Sequence, residues 1–260
     1  MTAALSARNP KVQRLRRLST KRTERAAEGA FVIEGWKLVD DAVATGVDIE
    51  VLFVEPELAG RLDGVSPPVH LVEPRTLAGA LDTTTPQGVA AIARMRATSV
   101  DDLDLTAGPV LVLVGVGDPG NGGTLVRVAE AAGCCAVLFT NDSVDAYAPK
   151  CVRASAGSIF RVPVVNEGEG RKVLERLGDQ DVRRLGTSAH TGVAYDDADL
   201  TAPFALVLGN EAHGIPADVD AALDGHVHIP MHGSVESLNV GVAGSIVLFE
   251  AARQRRAKRP

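Results

Sequence analysis

Residues 110–133 read VLVLVGVGDPGNGGTLVRVAEAAG, and the change of texture along this stretch decides the fold of the C-terminal part of the chain. Residues 110–116 form an apolar run typical of a parallel strand buried on both faces. Leu125, Val128, Ala129 and Ala132 then recur at i, i+3, i+4 and i+7, which predicts a helix over 124–132 ended by Gly133. The same alternation continues outward. Strands are expected over 136–140, 159–165, 184–187, 204–208 and 226–230, helices near 150–156, 171–177 and 217–223, and a long helix over 238–253. Upstream, strands at 31–33, 50–54, 70–72 and 89–93 alternate with helices at 36–44 and near Leu77. Both halves therefore read as α/β layers. Residues 97–108, with Ser99, Asp101, Asp102, Asp104 and Gly108, lack a period over most of their length. They divide the chain into a domain over 1–97, a linker over 98–108 and a second domain over 109–260.

Gly115, Gly117 and Gly120 make a literal GxGxxG between strand and helix, with Asp142 further on, which is the outline of a dinucleotide-binding turn. The register argues against it: Asn121, Gly122 and Gly123 follow, so the helix is expected to begin only at Thr124 and the turn to be wide. A nicotinamide enzyme remains a minor alternative. Arg127 then falls in the first turns of that helix, against the positive end of its dipole, where either Glu130 or a substrate phosphate offsets it.

The chain has 260 residues, 45% hydrophobic and 23% charged, the composition of a globular protein and not of a disordered or fibrous one. No apolar run is long enough to span a bilayer and the first twenty residues are polar and basic, so a cytoplasmic protein with no membrane partner is expected. Cys134, Cys135 and Cys151 form no CxxC pair and read as reduced, partly buried residues. His226, His228 and His232 have spacings that can bind zinc, but no cysteine is near and His232 sits beyond the strand, so no metal is expected.

The net charge of -6 hides an asymmetry. Residues 1–30 hold eight basic and two acidic groups, residues 253–260 add five basic ones, and the span between carries 14 basic against 31 acidic. Within 10–27, Val12, Leu15 and Leu18 form one narrow apolar stripe while Lys11, Arg14, Arg16 and Arg17 occupy the rest of a helix surface. With Arg8, these are candidates for contact with nucleic-acid phosphate, the alternative being a solvated, inert basic surface.

Two further stretches complete the pattern. Residues 206–216, LVLGNEAHGIP, are a buried strand ending in a loop with a carboxylate between glycines; residues 229–231, IPM, precede 237–240, SLNV, where Ser237 is a natural N-cap for the last helix. In order and spacing, DPGNxGTxxRxAxAxG, LxLGNExxGIP and IPMxGxxxSLNVxVAxxIxLFE closely resemble the SpoU (TrmH-like) family of RNA 2′-O-ribose methyltransferases of the SPOUT superfamily. Arg8-Asn9-Pro10, Phe31 to Gly35 and Thr85 to Gly88 resemble the substrate-binding domain often joined to that catalytic domain.

The resemblance implies a C-terminal doubly wound parallel sheet carrying a trefoil knot, which departs from the usual unknotted chain. It also implies a smaller N-terminal α/β domain like an RNA-binding ribosomal protein, and a homodimer formed by the catalytic domains. It implies S-adenosylmethionine as cofactor, surrounded by Leu208, Gly209, Ile229, Met231 and Leu238, and a catalytic cluster of Asn121, Arg127, Glu211, Ser237 and Asn239. Within the family the chain looks most like the thiostrepton-resistance type, which acts on 23S ribosomal RNA. Transfer RNA as substrate and a non-catalytic ribosome-associated RNA-binding protein are the alternatives. The family proposal makes the motif arginine the base. A guanidinium is a poor base, and a charged Arg127 that binds phosphate while phosphate oxygen or water takes the proton is chemically easier. One departure is Gly241, where the family commonly has serine.

Overall fold

The computed structural model describes residues 4–62, 67–83, 85–166 and 168–258, so Arg259 of the basic C-terminus lies outside the described residues. The chain divides into two compact units, residues 1–96 with 147–160 and residues 97–146 with 161–260.

The first unit opens with α1 (Pro10–Thr20), started by Asn9, whose Oδ1 accepts from Lys11 N at 3.0 Å, and by Pro10 in the first helical position. Val12, Leu15 and Leu18 are its buried stripe. The single helix expected over 10–27 is instead two: Lys21 is extended (φ -120°, ψ 117°) and α2 (Arg22–Glu28) follows. Arg25 explains the break. It is buried and turns back so that Nη1 donates to the Leu18 carbonyl at 2.7 Å, satisfying a backbone group that the end of α1 leaves open.

Next come β1 (Ala30–Glu34), α3 (Trp36–Ala44), β2 (Ile49–Val54), β3 (Val69–Leu71), α4 (Thr76–Ala80) and β4 (Val89–Arg94). The sheet order is β1-β4-β2-β3, with β4 antiparallel to both neighbours and β3 a parallel edge strand. Helices α1 and α4 bury Leu15, Leu18 and Leu77 against Val32, Phe53 and Ile92. Gly35 turns with φ +88° and approaches Gln87, whose Oε1 accepts from Trp36 N at 3.3 Å, so the Phe31 to Gly35 and Thr85 to Gly88 motifs meet.

The second unit is built on β5 (Val110–Leu113), α5 (Pro119–Ala132) and β6 (Ala136–Phe139). The chain then contributes α6 (Pro149–Ala154) to the first unit, where Arg153 Nη1 donates to Glu34 Oε2 at 3.0 Å and Tyr147 packs on Phe31 with ring centroids 4.8 Å apart. The strand expected over 159–165 is a 3-10 turn at Ser158–Phe160 followed by a shorter strand, β7 (Val164–Asn166). There follow α7 (Gly170–Gly178), β8 (Arg183–Ser188), β9 (Val193–Ala194), β10 (Phe204–Leu208), α8 (Ala217–Asp220), β11 (Gly225–His228) and α9 (Val240–Ala257). The two-residue β9 was not expected.

All neighbouring strands of this sheet are parallel, in the order β7-β6-β5-β10-β8-β11-β9. The chain runs outward from β5 to β7 and then crosses to the other side at β8. The order therefore reverses between β5 and β10, and the crevice at such a reversal is where ligands bind in open α/β sheets. One face is covered by α7 and α8 through Val173, Leu174, Leu177 and Val219. On α9, Gly244 faces Leu125 of α5 and Leu208 of β10, so near that an added Cβ would stand 2.7 Å from each.

Both helix starts at the crevice differ from expectation. Helix α5 begins at Pro119 and not at Thr124, because Asp118 caps it, its Oδ1 accepting from Asn121 N at 2.9 Å, and Pro119 presets the first turn. Gly122 and Gly123, read as breakers, are buried inside the helix. The cap of α9 is Asn239, not Ser237: its Oδ1 accepts from Gly241 N at 2.9 Å and Val242 N at 3.3 Å. A Cβ on Gly241 would lie 3.1 Å from that oxygen, so the glycine keeps the cap uncrowded.

Candidate active site

Glu211, in the loop after β10, reaches across the strand-order reversal to the loop after β5. Its Oε2 accepts from Gly117 N at 3.1 Å, and its Oε1 accepts from Asp118 N at 3.3 Å and from Asn121 Nδ2 at 2.9 Å. Asn121 Oδ1 in turn accepts from Asn239 Nδ2 at 3.1 Å. Asn210 adds a second tie, Nδ2 donating to the Gly115 carbonyl at 2.7 Å. Three loops distant in the sequence are thus held by one chain of side-chain hydrogen bonds. Burial works to raise the Glu211 carboxyl, but the bonds from Asn121, Gly117, its own backbone and Asp118 outweigh it and hold the group below the ordinary carboxylate value.

This geometry revises the reason for setting the GxGxxG aside. Gly120 does lie inside the start of α5, as in a dinucleotide-binding turn. The N–H groups of Gly117 and Asp118, which would cradle a pyrophosphate, are already bonded to the Glu211 carboxylate, so the protein supplies its own anion there.

Beside this cluster is a cavity of about 580 Å³. Gly209, Ile229, Met231 and Leu238 line it, together with Glu211, Ser237 and Asn239. Ile215, in the loop after β10, adds to the apolar lining; Val227 of β11, Val247 of α9 and Thr187–Ala189 at the end of β8 also line it, and these the motifs did not name, because the strand order and not the sequence spacing brings β8 and β11 here. Gly209 lies so close to the Gly214 backbone that no side chain fits between them.

Two expected residues stand elsewhere. Leu208 is fully buried beneath the cavity, its carbonyl accepting from Val114 N at 2.8 Å, and it does not line the wall. Arg127 is the ninth residue of α5, well past the positive end of the dipole, exposed and outside the cavity lining. Glu130, the proposed internal partner of Arg127, is paired with Arg161 instead. No hydrogen bond or ion pair joins Arg127 to another side chain among the described residues.

The candidate RNA-binding side chains also separate. Arg14 is committed to Glu28 at 2.6 Å and Glu50 at 2.7 Å, and Arg17 contacts Glu24 at 3.3 Å. Lys11 Nζ meets His70 Nε2 at 2.8 Å, while Arg8 and Arg16 are exposed. Of the histidines considered for zinc, His226 contacts Asp220 at 2.7 Å.

Comparison with known proteins places these features. Residues 108–249 match the SpoU rRNA Methylase family, and residues 9–91 match an MRM3-like substrate binding domain. The chain is 34% identical over 247 residues to the 23S rRNA (guanosine(2553)-2'-O)-methyltransferase RlmP of Bacillus subtilis (strain 168), covering 94% of this chain and 96% of that one. It is 29% identical over 267 residues to a 23S rRNA (uridine(2479)-2'-O)-methyltransferase of Streptomyces viridochromogenes, covering 96% and 92%. Among solved structures, the SpoU methyltransferase AviRb from Streptomyces viridochromogenes, in complex with AdoMet, superposes with a TM-score of 0.89 at 28% identity, covering 97% of this chain and all of that one. The parallel sheet with its strand-order reversal, the three motifs joined at one end of it and the match over 108–249 show that this chain belongs to the SpoU rRNA methylase family.

Proposed function

We propose that this protein methylates a ribose 2′-hydroxyl in large-subunit ribosomal RNA, with S-adenosylmethionine as donor. The observation that carries the reading is the Glu211–Asn121–Asn239 bond chain beside the 580 Å³ cavity at the reversal of a parallel sheet. The cavity suits an adenosine-bearing amphiphile: its volume lies in the range of about 300–1,000 Å³ common for small-ligand sites, and apolar side chains (Ile215, Ile229, Met231, Leu238) share its lining with polar ones (Thr187, Ser188, Asn210, Glu211, Ser237, Asn239). Gly209, Ile229, Met231 and Leu238 would hold the cofactor, which supplies a methyl group activated on sulfur.

The chain's own residues then position the acceptor. Glu211, kept ionised by its four donors, fixes the loop at Gly117 and Asp118 and orients Asn121. Asn239 couples Asn121 to the cap of α9, and Ser237 lies on the cavity wall beside it. Alignment is the main demand of an in-line displacement, in which an oxygen–methyl bond forms as a sulfur–methyl bond breaks. Arg127, charged and without a side-chain partner among the described residues, binds the substrate phosphate and stabilises the developing alkoxide; phosphate oxygen or water takes the proton.

The substrate is held by the first unit, with Arg8, Lys11 and Arg16 toward phosphate. The active species is a homodimer, supported by an apolar stripe on α9 in which Val242 and Phe249 are 48% and 47% exposed. No helix among the described residues is long and apolar enough to cross a membrane.

Calorimetric titration with S-adenosylmethionine, paired with a transfer assay on ribosomal RNA, tests the assignment. Arg127→Ala is expected to lower transfer at least about 100-fold while cofactor binding stays within about twofold. Equal loss of both would mean that Arg127 shapes the cofactor cavity and not the acceptor site.

A further inference from the structure

The first unit has a concavity of its own, about 370 Å³, between the N-terminal half of α1 and the edge strand β3. Its floor is apolar, made by Val51, Phe53 and Ile92, with Pro68 at one side. Its rim is polar and mixed in charge. Arg14 and Glu50 face each other there at 2.7 Å and cancel. The His70 imidazole is tilted over Phe53, centroids 5.8 Å apart. Burial and then the charge of Lys11 both push the imidazole below the ordinary histidine value, toward the neutral form that can accept from Lys11 Nζ at 2.8 Å. Lys11 therefore carries the one uncompensated charge among the lining residues, and it is exposed in the first turn of α1.

An apolar slot with an aromatic ring at its edge and a single cation at its mouth matches one chemical unit, a flat base joined to a phosphate. Sequence-specific proteins take RNA in this way, by unstacking a nucleotide onto a ring and holding its backbone with a cation. We propose that this concavity seats one unstacked nucleotide of the RNA substrate, its base against His70 and the partly buried Val51, its phosphate at Lys11. The proposal rests on the RNA reading above but concerns a nucleotide other than the one methylated, since it uses no residue of the 580 Å³ cavity. An apolar peptide would fill the slot equally well, but it would leave Lys11 without a counter-charge.

The test uses the full chain and a fluorescent single-stranded RNA oligonucleotide, with affinity measured across a salt series. His70→Ala is expected to weaken binding about tenfold without changing the salt slope, because stacking is lost and no charge. Lys11→Gln is expected to weaken binding and reduce the slope by about one. Val51→Trp, which fills the slot, should act like His70→Ala. Unfolding midpoints and S-adenosylmethionine titration serve as controls for folding. The proposal is overturned if His70→Ala and Val51→Trp, both folded, bind the oligonucleotide as wild type does. If these variants lose affinity while wild type transfers no methyl group, the nucleotide seat stands and the enzyme reading falls. If wild type methylates and the variants are unaffected, the reverse holds.

Discussion

Asn239 uses the two atoms of its amide for different tasks: Oδ1 caps α9 and Nδ2 donates to Asn121. Asn239→Asp separates them, because a carboxylate still caps but cannot donate. Stability in urea is expected to stay within about 0.5 kcal/mol of wild type, while transfer falls about 100-fold through misplacement of Asn121. A parallel loss of stability would show that the bond to Asn121 holds the fold and does not serve transfer alone. The basic residues of α1 divide in a similar way. Arg14→Gln breaks pairs with Glu28 and Glu50 and should cost about 1 kcal/mol of stability. Arg8→Gln and Arg16→Gln should leave stability unchanged and each reduce the salt slope of RNA binding by about one. Asn121, Glu211 and Asn239 were legible in the motifs because spacing and residue type name them. The commitment of Arg14 was not, since its partners lie 14 and 36 residues away and only the fold brings them near.

At the scale of elements, most strands and helices follow from their periods, and the departures at α5 and between α1 and α2 each trace to a specific side chain. Residue propensity disfavours Gly122 and Gly123 in a helix, but capping by Asp118 and the first-turn proline Pro119 start α5 ahead of them. The split between α1 and α2 came from one buried arginine, Arg25, whose target carbonyl no local pattern reveals. The close packing of α9 on α5 and β10 rests on Gly244. Gly244→Val would drive a side chain into Leu125 and Leu208, and a loss of about 1–3 kcal/mol in urea unfolding is expected. A neutral result would mean that the helices can separate without cost. On the opposite side of α9, Phe249→Glu places a charge in the exposed apolar stripe and should convert a dimer to a monomer in light scattering. An unchanged mass would move the subunit contact away from α9.

For the whole molecule, the charge of -6 is the balance of a basic beginning, an acidic body and a basic end, and the structure treats the two ends differently. At the C-terminus much of the positive charge is used internally: Arg253 pairs with Glu250, Arg255 donates to the carbonyls of Gly133 and Ala107, and Lys258 donates to Thr201. On the first unit Arg8 and Arg16 remain exposed and Lys11 stands at the mouth of a slot. Charge counts alone could not separate these ends, because pairing is set by tertiary contacts. The central claim is that the bonded Glu211–Asn121–Asn239 cluster serves methyl transfer to a ribose oxygen. The most direct measurement is alkaline hydrolysis of ribosomal RNA after reaction with methyl-labelled S-adenosylmethionine, since a 2′-O-methyl group alone blocks cleavage at its own nucleotide. The account predicts label in one alkali-resistant dinucleotide from the large-subunit RNA. Label released on a base in mononucleotides, or no label in RNA from protein that binds the cofactor, would contradict it.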